Sequence, residues 1–337
     1  MKKKFSYIAL IFFCLAAILS IAGCNKDKQQ YQKKTDHGQQ YYKTSTPGQF
    51  LKKWMNKIKA DSKTVVFLDL DDTVFSQPPN SIIRSDIYYF LRGNEKAKYP
   101  EMAEKEIHQR IRPLLMNVTN DLSYQLTDKL LPEVINELTR RGVTVVGLTA
   151  REKRFIPVTL KWLKQLNIQF SPVAEEAITD KTFHSPVIVK QGVLFAGGNK
   201  KGDIITALLR SKKIPQPEQI LFMDDRADHV NSVDRALTAW DSKIKVSLVQ
   251  CTYPEVAFKP HNGELITKEL LRHLADGYQN QNKTVAKLLQ TDPYTRELIA
   301  SQYNISQNDK LLPDLFLEMH SGRQSDKIGN YKLASAL

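Results

Sequence analysis

The sequence predicts an α/β protein with a parallel sheet and helices on both faces, and three observations carry that expectation. Short continuous apolar runs recur at residues 64–70, 143–148, 219–223 and 244–249, as expected of central parallel strands buried on both sides. Stretches with apolar residues at helical spacing alternate with these runs. Acids and a hydroxyl stand at the ends of the runs, where open α/β sheets gather their ligands.

The elements follow in chain order. Lys2, Lys3 and Lys4 precede an apolar stretch over 5–21 that ends in Ile21-Ala22-Gly23-Cys24. At roughly 17 residues the stretch is short for a membrane span, which needs about 20, and its small residues sit where a signal peptidase cuts. The pattern resembles the bacterial lipobox, in which the cysteine is acylated and becomes the new N-terminus. A lipid on Cys24 would hold the protein to a membrane of the bacterial cell envelope, facing the periplasm or the exterior. Of the three cysteines, Cys14 leaves with such a signal and Cys24 carries the lipid. Only Cys251 remains, so no internal disulfide is expected and the domain must fold on its apolar core.

Residues 24–49 are rich in Gln, Lys, Tyr and Thr without an apolar period, and read as a flexible tether. From Phe50 the spacing turns helical through Leu51, Trp54, Met55 and Ile58. The core is expected over 50–255. Within it, 131–141 is an amphipathic helix ending at Gly142, a helix cap, and a second helix runs through Trp162 and Leu166. Two segments interrupt the alternation. Residues 76–128 form a long, helical insertion, and 186–195 reads as a hairpin turning at Lys190-Gln191-Gly192. A C-terminal helical extension covers 256–320, and a loose polar tail covers 321–337.

The net charge is +13. Without the three signal lysines it is 13 − 3 = +10. Lys and Arg are spread along the chain with no nucleic-acid motif, so a nucleic-acid partner is not expected. A basic surface of this kind reads first as a solvated one; as a functional feature it would suit phosphorylated substrates or anionic head groups.

The first strand delivers Asp69-Leu70-Asp71-Asp72-Thr73. Two carboxylates one residue apart can face one small site, where one attacks phosphorus and the other handles a proton. The second strand ends in Thr149-Ala150-Arg151, offering a hydroxyl and backbone N–H groups to phosphate oxygens. Lys200-Lys201-Gly202 brings a cation just before a helix, and a third strand ends in Asp224-Asp225, with Asp228 following. Carboxylates beside a phosphate suit Mg²⁺, which prefers hard oxygen ligands and keeps some waters.

The order of these segments resembles the four motifs of the haloacid dehalogenase-like (HAD) hydrolase superfamily. They stand as VVFLDLDDTV at 65–74, VTVVGLT at 143–149, the lysine of GNKKG at 198–202, and LFMDDRAD at 221–228. The resemblance covers about residues 61–252. It implies a Rossmann-like core with a helical cap in the 76–128 insertion, and a Mg²⁺-dependent phosphomonoesterase acting through an aspartyl-phosphate. In that scheme Asp69 attacks phosphorus. Asp71 protonates the leaving oxygen and then deprotonates the hydrolytic water. Thr149 and Lys201 hold the phosphoryl oxygens. The metal is held by Asp69, the backbone carbonyl of Asp71, and Asp224, with Asp225 a direct or water-mediated helper.

Other readings stand beside these. Lys200 and Lys201 cannot both point at one phosphate, and the Lys201-Gly202 pair fits the motif better. Asp228 binds metal or braces its loop; Asp72 and Thr73 shape theirs. His229 reads as a surface or hydrogen-bonded histidine, Arg151 as a phosphate ligand or a structural arginine, and Cys251 as buried and inert. Tyr88, Tyr89 and Phe90 read as core. The rivals to a resident phosphatase are a binding or structural lipoprotein on the same fold, and a delivered effector using the same chemistry.

Overall fold

The computed structural model describes residues 31–84, 86–241, 243–258 and 262–321. The expected signal, the lipidation site Cys24 and nearly all of the expected tail lie outside the described residues.

Two strands open the fold, β1 (Tyr31–Lys34) and β2 (Gln40–Thr44), followed by helix α1 (Pro47–Ile58) and strand β3 (Thr64–Leu68). These correct the tether expected over 24–49. From Tyr31 the chain is part of the sheet, with β2 running parallel to a strand 200 residues later. The composition misled because β2, between β1 and a core strand, buries only Tyr41 and Thr44 of its five residues. The Tyr41 hydroxyl donates to Gln250 Oε1 at 2.5 Å.

Beyond β3 come β4 (Phe75–Ser76), helices α2 (Ile87–Lys98) and α3 (Glu104–Asp121), then β5 (Gln125–Leu126). Strands β4 and β5 pair antiparallel and form the stalk of the insertion. Helix α4 (Leu131–Arg140) leads to β6 (Thr144–Thr149), helix α5 (Ile156–Gln165) to β7 (Ala177–Ile178), β8 (Val187–Lys190) and β9 (Val193–Phe195). The hairpin of β8 and β9 turns at Gln191 and Gly192, both at positive φ (48° and 72°), the geometry of a tight two-residue turn. Helix α6 (Lys201–Arg210), β10 (Gln219–Asp224), α7 (Ala227–Trp240) and β11 (Lys245–Cys251) complete the core.

Among the described residues the main sheet has nine strands, in the order β1-β2-β11-β10-β3-β6-β9-β8-β7. From β2 to β9 every neighbouring pair is parallel, and β1, β7 and β8 join antiparallel at the two edges. All five residues of β3 are buried, as its central place requires. One face packs on α1, α4 and α5 through residues such as Leu51, Trp54, Ile135 and Trp162. The other face packs on α6 and α7 through Ile204, Leu208, Val230 and Leu237. Burying side chains of this size contributes about 1.5–3 kcal/mol each.

After a short helix α8 (Tyr253–Ala257), the chain forms α9 (Gly263–Gln279), α10 (Lys283–Thr291), α11 (Pro293–Tyr303) and α12 (Leu312–His320). The insertion and this extension, read separately in the sequence, share one apolar core. Ile87, Leu91, Ile111, Leu114 and Val118 of the insertion pack with Leu270, Leu274, Leu289, Ile299 and Phe316 of the extension. Polar links close the same seam. Glu297 of α11 pairs with Arg110 and Lys98, and His273 Nε2 lies 2.9 Å from Asn117 Oδ1. The molecule is thus a sheet domain joined to a helical body built from two distant parts of the chain. No helix among the described residues is long and apolar enough to cross a membrane.

Candidate active site

The strands β3, β6 and β10 are adjacent and parallel, so their carboxyl ends bring Asp69, Thr149 and Asp224 to one rim of the sheet. The register pairs Leu68 with Met223, and the Asp69 N–H donates to the Met223 carbonyl at 2.9 Å. Past Asp69 the chain curls. The N–H groups of Val74 and Phe75 return to the Leu70 carbonyl at 2.9 and 3.0 Å. Asp72 adopts φ 58°, and its carboxylate accepts from the Ser76 hydroxyl. Asp72 therefore fixes the loop, as the sequence suggested.

The cation arrives from the other face. Lys201 is the first residue of α6, 1% exposed, and its ammonium binds Asp69 and Asp224, the latter at 2.6 Å. Lys200 is exposed and stays outside this cluster. The lysine reaches its place because the next residue is Gly202. A Cβ there would stand 2.5 Å from the Ser232 backbone oxygen and 2.7 Å from Ala236 Cβ on α7.

Carboxylate oxygens of Asp69, Asp224 and Asp225 all lie within 4.8 Å of one another. Burial pushes Asp69 up to about 8, reinforced by Asp224 and Asp71 and opposed by Lys201. Burial and the charges of Asp69 and Asp224 also push Asp225 well above the usual carboxylate range. Asp224 stays below that range despite its burial, because Lys201 and His229 both favour its charged form. His229 Nδ1 lies 3.1 Å from both oxygens of Asp224, so it is a hydrogen-bonded histidine. Three carboxylates against one ammonium leave −3 + 1 = −2 when all are ionised, and the cluster lacks a dication's worth of positive charge. The donors are hard oxygens, so the residues fit Mg²⁺.

Asp71 is not among the three clustered acids. Its carboxylate is gripped by Arg151, with Nε at 2.8 Å and Nη2 at 2.5 Å. The Thr149 hydroxyl is buried and accepts the Arg151 N–H at 3.2 Å. Asp228 is exposed and pairs with Arg226, so it braces the loop rather than joining the acids. Tyr89, read as core, is 51% exposed, and the Arg226 guanidinium sits 5.0 Å over its ring. Cys251 is buried and unpaired, and burial pushes its thiol up. Sequence reading left the partner of Arg151 undecided. The dipeptide spacing Thr149-x-Arg151 held the only signal, and the contact spans 80 residues.

Fold and site together define an α/β protein with an acid-and-lysine cluster at the carboxyl ends of a mainly parallel sheet. A family model described as "Protein of unknown function (DUF2608)" matches residues 49–291, and the chain belongs to that family. It is similar to a Chlamydia pneumoniae protein described as "Putative outer membrane protein", 22% identical over 235 residues, 65% of this chain and 83% of that protein. Among solved structures it is similar to the HAD domain of effector protein Lem4 from Legionella pneumophila. That match has 15% identity and a TM-score of 0.31, covering 67% of this chain and 99% of the other. It is also similar to a phospho-aspartyl intermediate analogue of phosphoserine phosphatase. There the identity is 16% and the TM-score 0.29, over 56% of this chain and 93% of the other.

Proposed function

We propose that this protein is a Mg²⁺-dependent phosphohydrolase of the HAD type, acting on phosphomonoesters and held at the cell envelope by a lipid on Cys24. The observation that carries the reading is the buried Lys201 bridging Asp69 and Asp224, with Asp225 beside them, at the carboxyl rim of the sheet.

The chemistry follows from what each group offers. Asp69 is the nucleophile: its free oxygen attacks phosphorus and forms an aspartyl-phosphate as the ester P–O bond breaks. Asp71, two residues on, gives a proton to the departing oxygen. It then takes one from the water that attacks the intermediate, freeing Asp69 and phosphate. Lys201 and Thr149 hold the equatorial oxygens and offset the charge that spreads over them. Asp69, the Asp71 carbonyl, Asp224 and Asp225 would hold Mg²⁺, which reduces the repulsion between an anionic nucleophile and an anionic ester. The helical body is the cap, which restricts water and selects the ester. An envelope location is supported by the lipobox-like Ile21-Ala22-Gly23-Cys24 and accords with the printed description of the Chlamydia relative.

The test is phosphate release from a panel of phosphomonoesters by the full-length chain, with Mg²⁺, with chelator, and with Asp69→Asn. Turnover that requires both metal and Asp69 is expected. A folded protein that binds Mg²⁺ yet releases no phosphate from any ester would overturn the enzymatic reading in favour of a binding protein.

A further inference from the structure

Resting on that reading, the geometry points to Arg151 as the positioning residue for Asp71, held in turn by Tyr124 at the stalk of the helical body.

Arg151 is 9% exposed at its side chain and uses its guanidinium almost fully. Nε and Nη2 grip both oxygens of Asp71. Nη2 also donates to the Tyr124 hydroxyl at 3.0 Å, and Nη1 to Thr159 Oγ1 at 3.0 Å. Three rings enclose it: Trp162 at 4.8 Å, and Phe75 and Tyr124 at 5.5 Å each. Those rings also pack on one another, Tyr124 against Trp162 at 4.1 Å and Phe75 against Tyr124 at 5.0 Å. A planar fork in such a cage has one orientation, and a two-pronged contact passes that orientation to its carboxylate.

The side of Asp71 matters for its work. Its side chain is 26% exposed, against 7% for Asp69, so it keeps more contact with solvent than the nucleophile does. Held by both oxygens, the Asp71 carboxyl takes the one orientation that the caged guanidinium allows, and that orientation is the one it presents to the site.

Tyr124 gives the arrangement a second consequence. It lies immediately before β5, whose pairing with β4 fixes the insertion to the core. Through Tyr124 and Arg151 the position of the insertion is tied to the orientation of Asp71, so a cap that shifts would move the proton donor. Asp71 is reached from the sheet by its own strand, from the second strand end by Arg151, and from the cap by Tyr124.

The experiment compares an alkyl phosphate, whose leaving oxygen needs a proton, with an aryl phosphate, whose leaving oxygen needs little help. Wild type, Asp71→Asn, Arg151→Gln, the double variant and Tyr124→Phe are assayed as full-length chains for kcat and KM. Asp71→Asn is expected to lower alkyl-ester kcat by ~10²–10³-fold and aryl-ester kcat far less. Arg151→Gln should show the same leaving-group signature at about 10–100-fold with KM little changed, and should add nothing to Asp71→Asn. Tyr124→Phe keeps the ring cage and loses only the hydroxyl. It should show the signature at about 2–10-fold, and it carries the test should Arg151→Gln fail to fold.

Equal losses on both esters, a rise in KM alone, or full additivity with Asp71→Asn would overturn the Arg151 assignment and leave the phosphohydrolase reading intact. Absence of turnover by wild type on both esters would overturn both.

Discussion

The acid cluster makes a prediction that needs no substrate. Asp69, Asp224 and Asp225 offer oxygens within 4.8 Å, and at an effective dielectric of about 20 each ionised pair at that distance repels by ~3.5 kcal/mol. Among the described residues Lys201 pairs with Asp69 and Asp224. Asp225 has, among the described residues, no ion pair of its own, so burial and the two neighbouring acids oppose its ionisation. A divalent cation removes this repulsion. Mg²⁺ at a hundredfold excess over its Kd should stabilise the fold by about 2.7 kcal/mol, and at about 2–4 °C per kcal/mol that raises Tm by roughly 5–10 °C. Asp225→Asn removes the acid whose ionisation the site opposes. In chelator the variant should be more stable than wild type by about 1–3 kcal/mol, and in Mg²⁺ its gain should be a fraction of the wild-type gain. Thermal unfolding of both proteins with Mg²⁺ and with chelator gives the four values needed. A wild type whose Tm ignores Mg²⁺, or an Asp225→Asn protein less stable than wild type in chelator, would refute the charge argument.

Three further outcomes follow from the packing. Removing residues 1–48 strips β1 and β2 and bares the edge of β11. The loss of the buried Tyr41 alone costs about 1.5–3 kcal/mol, and an open central-strand edge promotes association; a monodisperse protein of unchanged Tm would contradict this. Gly202→Ala forces a Cβ to within 2.5 Å of the Ser232 oxygen. It should destabilise by about 1–3 kcal/mol and displace Lys201, to be read as lower Tm with lower turnover. His273, packed between α9 and α3, has its pKa lowered, mainly by burial. The folded state prefers the neutral ring, so its stabilising contribution is full above the unfolded value of about 6.5 and is lost as pH falls through the lower folded value. Urea midpoints against pH should therefore decline less in His273→Gln than in wild type, and identical profiles would exclude the ring as a source.

Much of the core was legible because its signals are local. Apolar runs marked β3, β6, β10 and β11, Gly142 marked the end of α4, and Gln191-Gly192 marked a turn. Asp69, Asp224, Asp225 and Lys201 could be placed at one rim because strand ends and a helix start locate them without any contact being known. What escaped was decided by tertiary pairing. Strand β2 looks like linker because a strand with two buried residues in five has no apolar alternation to show. The grip of Arg151 on Asp71 depends on β6 lying beside β3 and on three rings from three segments. The union of insertion and extension was hidden for the same reason: each shows one amphipathic face, and nothing local says that the two faces meet.

That union bears on how the molecule is made. The insertion is synthesised early, but the residues that cover its apolar face, from Ile266 to Phe316, come last. The nine strands described are all in place once Cys251 is made, so a chain emerging in order can assemble them while Ile111, Leu114 and Val118 are still uncovered. Such late closure leaves a species open to self-association until the last helices dock. A chain cut between Ala257 and Leu312 would not be a shorter working version of the protein. It would be a completed sheet carrying an open greasy flank, the state that holdases bind and proteases clear.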